Sequence, residues 1–375
     1  MSEVKTPALL LDRARLARNL AMMRNRAAAL GVTLRPHVKT AKSWPVIERA
    51  LAGGPAAITV STLREAAFFL DRGITDITYA VGIAPSKLEA AAALIAEGAA
   101  LTLLLDSHAQ LAMLKEAAAR LGVVFPALIE IDVDSHRAGL VPESDELVAI
   151  GRALAEDPGT QLRGVLTHAG GAYDCDGPAA IRAMAERERA GTVAAAERLR
   201  AAGLACPVVS VGSTPTATFA ARLDGVSELR AGVYMFQDLV QAGLGVCRID
   251  DIALSVLATV IGHQAARGRL IVDAGWTALS QDRGTARQAV DQGYGLVCDR
   301  AGRPTADLVV RAVNQEHGII ARRDGGPLDL DAWPVGSLLR ILPNHACATA
   351  ACHAAYHVLD EAGRVADRWE RFSGW

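Results

Sequence analysis

A chain of 375 residues with a formal net charge of −2 has room for one large domain and a smaller one, and no electrostatic reason to bind nucleic acid or an anionic membrane. No stretch approaches the ~18 consecutive apolar residues of a membrane span, and the opening MSEVKTPALLLDRARL meets charge too early to hold a signal-peptide core. Cys175, Cys206, Cys247, Cys298, Cys347 and Cys352 are scattered along a chain without a secretion signal, so no disulfide framework is expected and the cytoplasm is the expected compartment.

The first β-like run is PALLLD (7–12), and Arg13–Leu30 follows it with the 3–4 apolar spacing of a helix. Short β-like runs and helical segments then alternate to about residue 245. The β-like runs are TLRPHV (33–38), AAITV (56–60), DITYAV (76–81), LTLLL (101–105), PALIEIDV (126–133), LRGVLTH (162–168), PVVSVG (207–212) and VSELR (226–230). The helical segments are Leu63–Arg72, Ser86–Glu97, Ala109–Leu121, Asp145–Glu156 and Pro178–Ala202, rich in alanine, which lowers the cost of a helix. Strands of this length separated by helices predict a parallel sheet, and eight of them over roughly 230 residues are what closes a (β/α)₈ barrel. An open doubly wound sheet is the rival, weakened because no G-x-G-x-x-G follows the first strand. After residue 250 the texture changes: IALSVLATVIGH, GRLIVDAG, GLVCD, LVVRAVNQEHGIIA and SLLRILP read as β-runs divided by turns, which predicts a second, mostly β domain. PALLLD could pair with that C-terminal sheet, giving a barrel over 12–245 and a second domain from 1–11 and 246–375.

Chemistry-bearing side chains gather where a barrel keeps its active site, at the C-terminal ends of strands. RPHVKT ends the first barrel strand and offers Lys39, which desolvation would make nucleophilic, with Lys42 as a competitor and a solvated loop lysine as the plain alternative. EIDVDSHRAG carries Asp132, His136 and Arg137; THAGGAYD carries His168 and Tyr173; VGSTPTAT carries Gly212, Ser213 and Thr214; ELRAGVYMF carries Arg230, Gly232 and Tyr234. The GSTPT turn opens a predicted helix and could cradle a phosphate. Any one of these is readily a core histidine or an ion-pair arginine; together, at successive strand ends, they mark one face. In PNHACATAACHAAYH (343–357), His345 and Cys347 are two apart, so an extended segment would point both to one side. Imidazole with thiolate suits zinc, and two ligands suit a catalytic metal with open positions rather than a structural one. His353 and His357 form a competing pair if that stretch is helical, and Glu316 and His317 of NQEHG are candidate outer partners of the metal ligands.

These motifs resemble, nearly end to end, the fold-type III pyridoxal-phosphate (PLP) enzymes of the D-serine dehydratase and D-threonine aldolase group, relatives of alanine racemase: TPALLLD, RPHVKTAK, THAGGAYD, SVGSTPT, ELRAGVYMF, VDAG, NQEHG and PNHACAT occur in order. The resemblance implies an alanine-racemase-type PLP-binding TIM-like barrel with a C-terminal β domain, and a homodimer in which the second domain of one subunit lies near the barrel mouth of the other. It implies that Lys39 carries PLP as a Schiff base, that Arg137 lies near the phenolic oxygen, and that His168 lies beside the ring. Gly212, Ser213, Thr214, Gly232 and Tyr234 match the phosphate region, while Tyr173 and Arg230 compete for the pyridine nitrogen. His345 and Cys347 match a metal pair, with zinc ahead of manganese. Aldolases of the group tend to have aspartate where Cys347 stands, so the implied activity is dehydration of D-serine or D-threo-3-hydroxyaspartate to a 2-oxo acid and ammonia. D-threonine aldolase activity is the alternative and an amino-acid racemase the second. The partner in each case is a small D-amino acid, with no nucleic acid and no membrane.

Overall fold

The computed structural model describes residues 4–375, apart from the side chain of Ala306. Residues 1–3, which the sequence reading places in the second domain, lie outside the described residues. Strand β1 (Ala8–Asp12) and helix α1 (Arg13–Ala29) open the chain. Eight further strands follow: β2 (Thr33–Pro36), β3 (Ala57–Val60), β4 (Asp76–Gly82), β5 (Ala100–Leu105), β6 (Phe125–Ile131), β7 (Thr160–Thr167), β8 (Val208–Val211) and β9 (Glu228–Ala231). The eight strands, one for each β-like run, join through seven pairings, every one parallel, in the order β2-β9-β8-β7-β6-β5-β4-β3. The ring meets between β2 and β3 through a single parallel bridge, His37 to Thr59.

The intervening helices are α2 (Trp44–Leu51), α3 (Leu63–Leu70), α4 (Leu88–Ala96), α5 (His108–Leu121), α6 (Asp145–Glu156), α7 (Gly177–Ala201) and the short α8 (Thr214–Phe219). Local chemistry sets their ends. Thr62, Ser107, Ser144 and Ser213 cap α3, α5, α6 and α8 by accepting a backbone N–H, and Gly122 closes α5 in the left-handed region at φ 66°. Helix α2 is absent from the sequence expectation. Pro45 sits in its first turn, where the missing N–H would have no helical partner anyway.

The barrel interior is not wholly apolar. Arg35 on β2 donates to Glu228 on β9 at 2.7 Å and to Asp76 on β4 at 2.8 Å. Glu228 in turn accepts from Ser210 on β8 at 2.5 Å, and Arg230 donates to Ser210 at 2.6 Å. Buried charges persist only when paired in this way.

The remaining strands, β10 (Leu254–Gln264), β11 (Arg269–Val272), β12 (Leu296–Cys298), β13 (Pro304–Val313), β14 (Gly318–Arg322), β15 (Leu338–Leu342), β16 (Ala355–Leu359) and β17 (Val365–Glu370), join β1 in a nine-stranded sheet. Its order is β11-β14-β13-β12-β15-β10-β1-β16-β17, antiparallel except for β1 beside β16. As expected from PALLLD, β1 belongs here; Leu9, Leu10 and Leu11 are buried at its centre, each worth about 1.5–3 kcal/mol of transfer free energy. Short helices α9 (Leu239–Gly243), α10 (Trp276–Leu279) and α11 (Ala346–Ala351) interrupt the strands.

The chain divides into two compact units. One takes in Val233–Ser373, Ser43–Val46 and the N-terminal stretch to Ala21; the other comprises Met22–Lys42, Ile47–Gly232 and the last two residues. All six cysteines are free, and among the described residues no helix is long and apolar enough to cross a membrane.

Candidate active site

In the barrel unit, β2 ends at Pro36 and the chain turns through a 3-10 helix, Val38–Thr40. His37 caps this turn, its Nδ1 accepting the Lys39 N–H, and its Nε2 lies 3.3 Å from Ser61 Oγ. The Lys39 side chain is exposed and holds no ion pair or hydrogen bond among the described residues. Its competitor is differently placed. Lys42, in a left-handed conformation at φ 44°, sets its Nζ 3.2 Å from the carboxylate of Glu65, which is fully buried.

Around this lysine turn stand the other strand ends. The loop after β6 carries Arg137, exposed and 3.5 Å from Glu130. Burial pushes the Glu130 carboxyl up, against the pull of Arg137. Asp132 caps its own loop by accepting from Asp134 and Ser135, and Asp134 accepts the Gly171 N–H at 2.8 Å. A Cβ on Gly170 would fall 2.2 Å from the His136 ring. The glycine pair of THAGGAYD therefore lets the β6 and β7 loops lie against each other, which positions Arg137 and Tyr173. Tyr173 lies on the 3-10 turn Gly170–Asp174 and is 36% exposed.

His168 Nδ1 lies 3.1 Å from the Gly212 carbonyl. A carbonyl only accepts, so Nδ1 carries the proton and Nε2 is left as an acceptor. Burial, with the charges of Lys39, Arg137 and Arg230, holds this imidazole neutral down to about pH 3, against the Gly212 hydrogen bond. His37 is held neutral for the same first reason, burial, followed by the charge of Lys39. The charges of Lys39, Arg137 and Arg230 thus all bear on the two buried imidazoles of His37 and His168.

The expected phosphate turn is more self-contained than its sequence suggests. The Gly212 N–H donates to Glu188 at 3.1 Å, the Ser213 N–H to Thr216 Oγ1 at 3.0 Å, and Ser213 Oγ caps Thr216. Gly232 supports close approach, but of protein to protein: a Cβ there would fall 2.9 Å from Thr40 Oγ1 and 3.0 Å from the His37 carbonyl, so β9 packs on the lysine turn. Arg230 is buried and committed to Ser210 and to the Thr167 carbonyl; burial brings its pKa down to about 10 against Glu228, Glu188 and Glu130. Glu188 was not singled out from sequence. It is buried on α7 and accepts from both Ala169 and Gly212, tying the end of β7 to that of β8. Its spacing within ERERAG is that of an ordinary charged helix face, so no sequence signal separates it from its neighbours.

Tyr234, His345 and Cys347 belong to the other unit. Tyr234 is buried in the 3-10 turn Val233–Met235. His345 is the extended cap of α11 and Cys347 lies in that helix's first turn, so a helix start, not the expected extended segment, brings the pair together. The imidazole is within hydrogen-bonding reach of the Cys347 sulfur, and its Nδ1 lies 2.8 Å from Asp282 Oδ2. Burial alone would lower the His345 pKa; hydrogen bonds to Asp282 and Cys347, and the charges of Cys347 and Asp238, outweigh it and raise it to about 11. A donor set this anionic around an imidazole is the chemistry of a cation site. Asn344 anchors the turn by donating to the Asp282 and Gly293 carbonyls, and Asp238 accepts the Ala346 N–H at 2.9 Å. Glu316 instead accepts from Thr277, so Asp282 takes the orienting position expected of NQEHG. His353 sits in a turn facing the Ala278 carbonyl and His357 in β16, so they share no helix face. Among the described residues no group of three or more His, Cys, Asp and Glu side chains has the geometry of a metal site.

The chain matches the family model for the alanine racemase N-terminal domain over residues 11–239, and that described as "Putative serine dehydratase domain" over residues 253–359. It is 56% identical to a D-threo-3-hydroxyaspartate dehydratase of Delftia sp. (strain HT23), over 99% of this chain and 98% of that one. It is 30% identical to a D-threonine aldolase of Arthrobacter sp, over 99% of this chain and 93% of the aldolase. The solved structure of the Delftia dehydratase superposes with a TM-score of 0.97 at 55% identity, covering 100% of this chain and 99% of that one; a cysteine-to-alanine mutant in the metal-free form superposes equally well, at 54% identity over the same shares. The chain therefore belongs to the PLP-dependent lyase family of fold type III that joins an alanine racemase N-terminal barrel to a D-serine dehydratase domain.

Proposed function

We propose that this protein is a metal-dependent PLP lyase that dehydrates D-β-hydroxy amino acids, D-threo-3-hydroxyaspartate first and D-serine second, to a 2-oxo acid and ammonia. The observation that carries the reading is the full-length 56% identity to the Delftia dehydratase; Cys347 beside His345 agrees with it. The organisation proposed is a barrel over 12–245 and a metal-carrying domain from 1–11 and 246–375, in a cytoplasmic homodimer.

When bound, PLP supplies an electron sink and a divalent metal, zinc ahead of manganese, supplies a Lewis acid for the β-hydroxyl. Lys39 is the attachment point, and its amine, free of protein partners, is the base for the Cα proton on one face, which makes the reaction selective for the D-isomer. Arg137 would serve the phenolic oxygen. His168, held neutral by burial, would stand beside the ring and add no charge there. Tyr173 is the residue for the pyridine nitrogen, because Arg230 is already committed within the barrel. Gly212, Ser213, Thr214, Gly232 and Tyr234 form the phosphate region. His345 and Cys347 are the metal ligands, with Asp282 fixing the imidazole through Nδ1 and leaving Nε2 for the ion.

Product analysis decides. With D-threo-3-hydroxyaspartate the protein should release oxaloacetate and ammonia in equal amounts, with D-serine pyruvate and ammonia, and EDTA should abolish both. Glycine and an aldehyde as products would make the protein an aldolase with the same site, and full activity without metal would bring the racemase reading forward.

A further inference from the structure

One buried cation away from these residues has no carboxylate within ion-pair distance among the described residues. Arg340, on β15, is 3% exposed. Its Nε donates to Ser255 Oγ at 2.9 Å and its Nη1 to the Ala301 carbonyl at 3.4 Å; no carboxylate ion-pairs with it among the described residues. Its place is held tightly, since a Cβ on Gly302 would fall 2.6 Å from Nη1. Burial, then the like charge of Arg15, disfavours its charged form, opposed by Cys298 and by the carboxylates of Asp12 and Asp299, which lie beyond ion-pair distance. Guanidinium does not discharge in proteins, and an unpaired buried charge is costly. Something must offset that cost.

Arg340 lines a cavity of ≈570 Å³, within the range of small-molecule sites. Two acids in its wall are already paired: Asp12 with Arg15 at 3.4 Å, and Asp360 with Arg364 at 3.0 Å. Glu361 is exposed in the turn between β16 and β17. Arg300, also in the wall, is exposed and has no ion pair or hydrogen bond among the described residues. Two arginines, one buried and one exposed, thus line a concave space with one acid that has no ion pair among the described residues beside them.

We propose that this cavity binds a small molecule through an oxyanion, carboxylate or phosphate, held between Arg340 and Arg300. Planar guanidinium donors match both groups, so the test uses one probe of each kind. PLP-loaded protein is titrated with inorganic phosphate and, separately, with malonate, at constant ionic strength, while its melting temperature is followed. At least one probe should raise Tm saturably, and the midpoint should weaken about tenfold or more in Arg340→Met or Arg300→Ala. Both probes also have access to the cofactor and substrate positions, so the variants decide. No saturable rise in the parent overturns the proposal, and so does a rise that survives unchanged in both variants. Should Arg340→Met not fold, Arg300→Ala, at an exposed position, carries the test alone.

Discussion

Lys39 and Lys42 stand three residues apart on one turn and carry the same chemistry, yet their surroundings divide them. Lys42 is committed to a carboxylate that has no contact with water, and removing it would leave Glu65 buried and unpaired. Lys39 has no such partner and stands beside two imidazoles kept neutral by burial. Borohydride reduction of the PLP-loaded protein should therefore label Lys39. Lys39→Ala should lose the label and all turnover while keeping its melting temperature within a few degrees. Lys42→Ala should keep the label and lose stability, by about 3 kcal/mol if the pair behaves as buried pairs do. A label on Lys42 would reverse the assignment. The motif RPHVKTAK displays both amines; which one is free depends on α3, the element that brings Glu65 to the turn.

At the scale of elements, the proposed metal pair His345 and Cys347 shows how far spacing reaches. His-x-Cys is legible in sequence as a pair of soft donors, but the structure joins them through the start of α11 and orients the imidazole from a loop more than sixty residues away. Asp282 is well placed because its other oxygen is occupied: Oδ1 accepts the Gly284 N–H at 2.7 Å, which leaves Oδ2 for His345. An outer carboxylate of this kind fixes the ring and raises its basicity as a ligand. Asp282→Asn should weaken zinc binding about 10- to 100-fold, measured by competition with a chromophoric chelator, with little change in melting temperature. Unchanged affinity would mean that Asp282 only packs the loop. The barrel elements show the same division. Strand ends were readable from β-like runs bounded by polar residues, but the GSTPT turn spends the Gly212 and Ser213 N–H groups on Glu188 and Thr216, a use that depends on α7 lying alongside.

For the whole molecule, the neutral histidines tie stability to pH. The folded His168 takes up a proton only at about pH 3, whereas an unfolded histidine does so near its ordinary 6.5. Between those values the unfolded chain binds more protons, so stability is full above the ordinary pKa and is lost as pH falls toward the folded one. The slope is at most about 1.4 kcal/mol per pH unit for each such group. His168→Asn should thus show a shallower fall in melting temperature between pH 6.5 and 4.5 than the parent. An equal fall would mean that burial does not hold this ring neutral.

The sequence by itself determined the alternation of strands and helices, the change to a β-rich second half, the return of β1 to the C-terminal sheet, and the motifs that mark the family. Each of these is written in local periodicity, turn residues and short spacings, which act over a few residues at a time. Long-range packing alone settles that Lys42 is paired, that Arg230 is committed to the barrel, that Asp282 bonds His345 and Glu188 bonds Gly212, and that Arg340 is buried with no carboxylate in ion-pair range among the described residues. Those outcomes rest on which distant side chains share a desolvated volume. Charge pairing and pKa depend on that volume, and no local pattern encodes it.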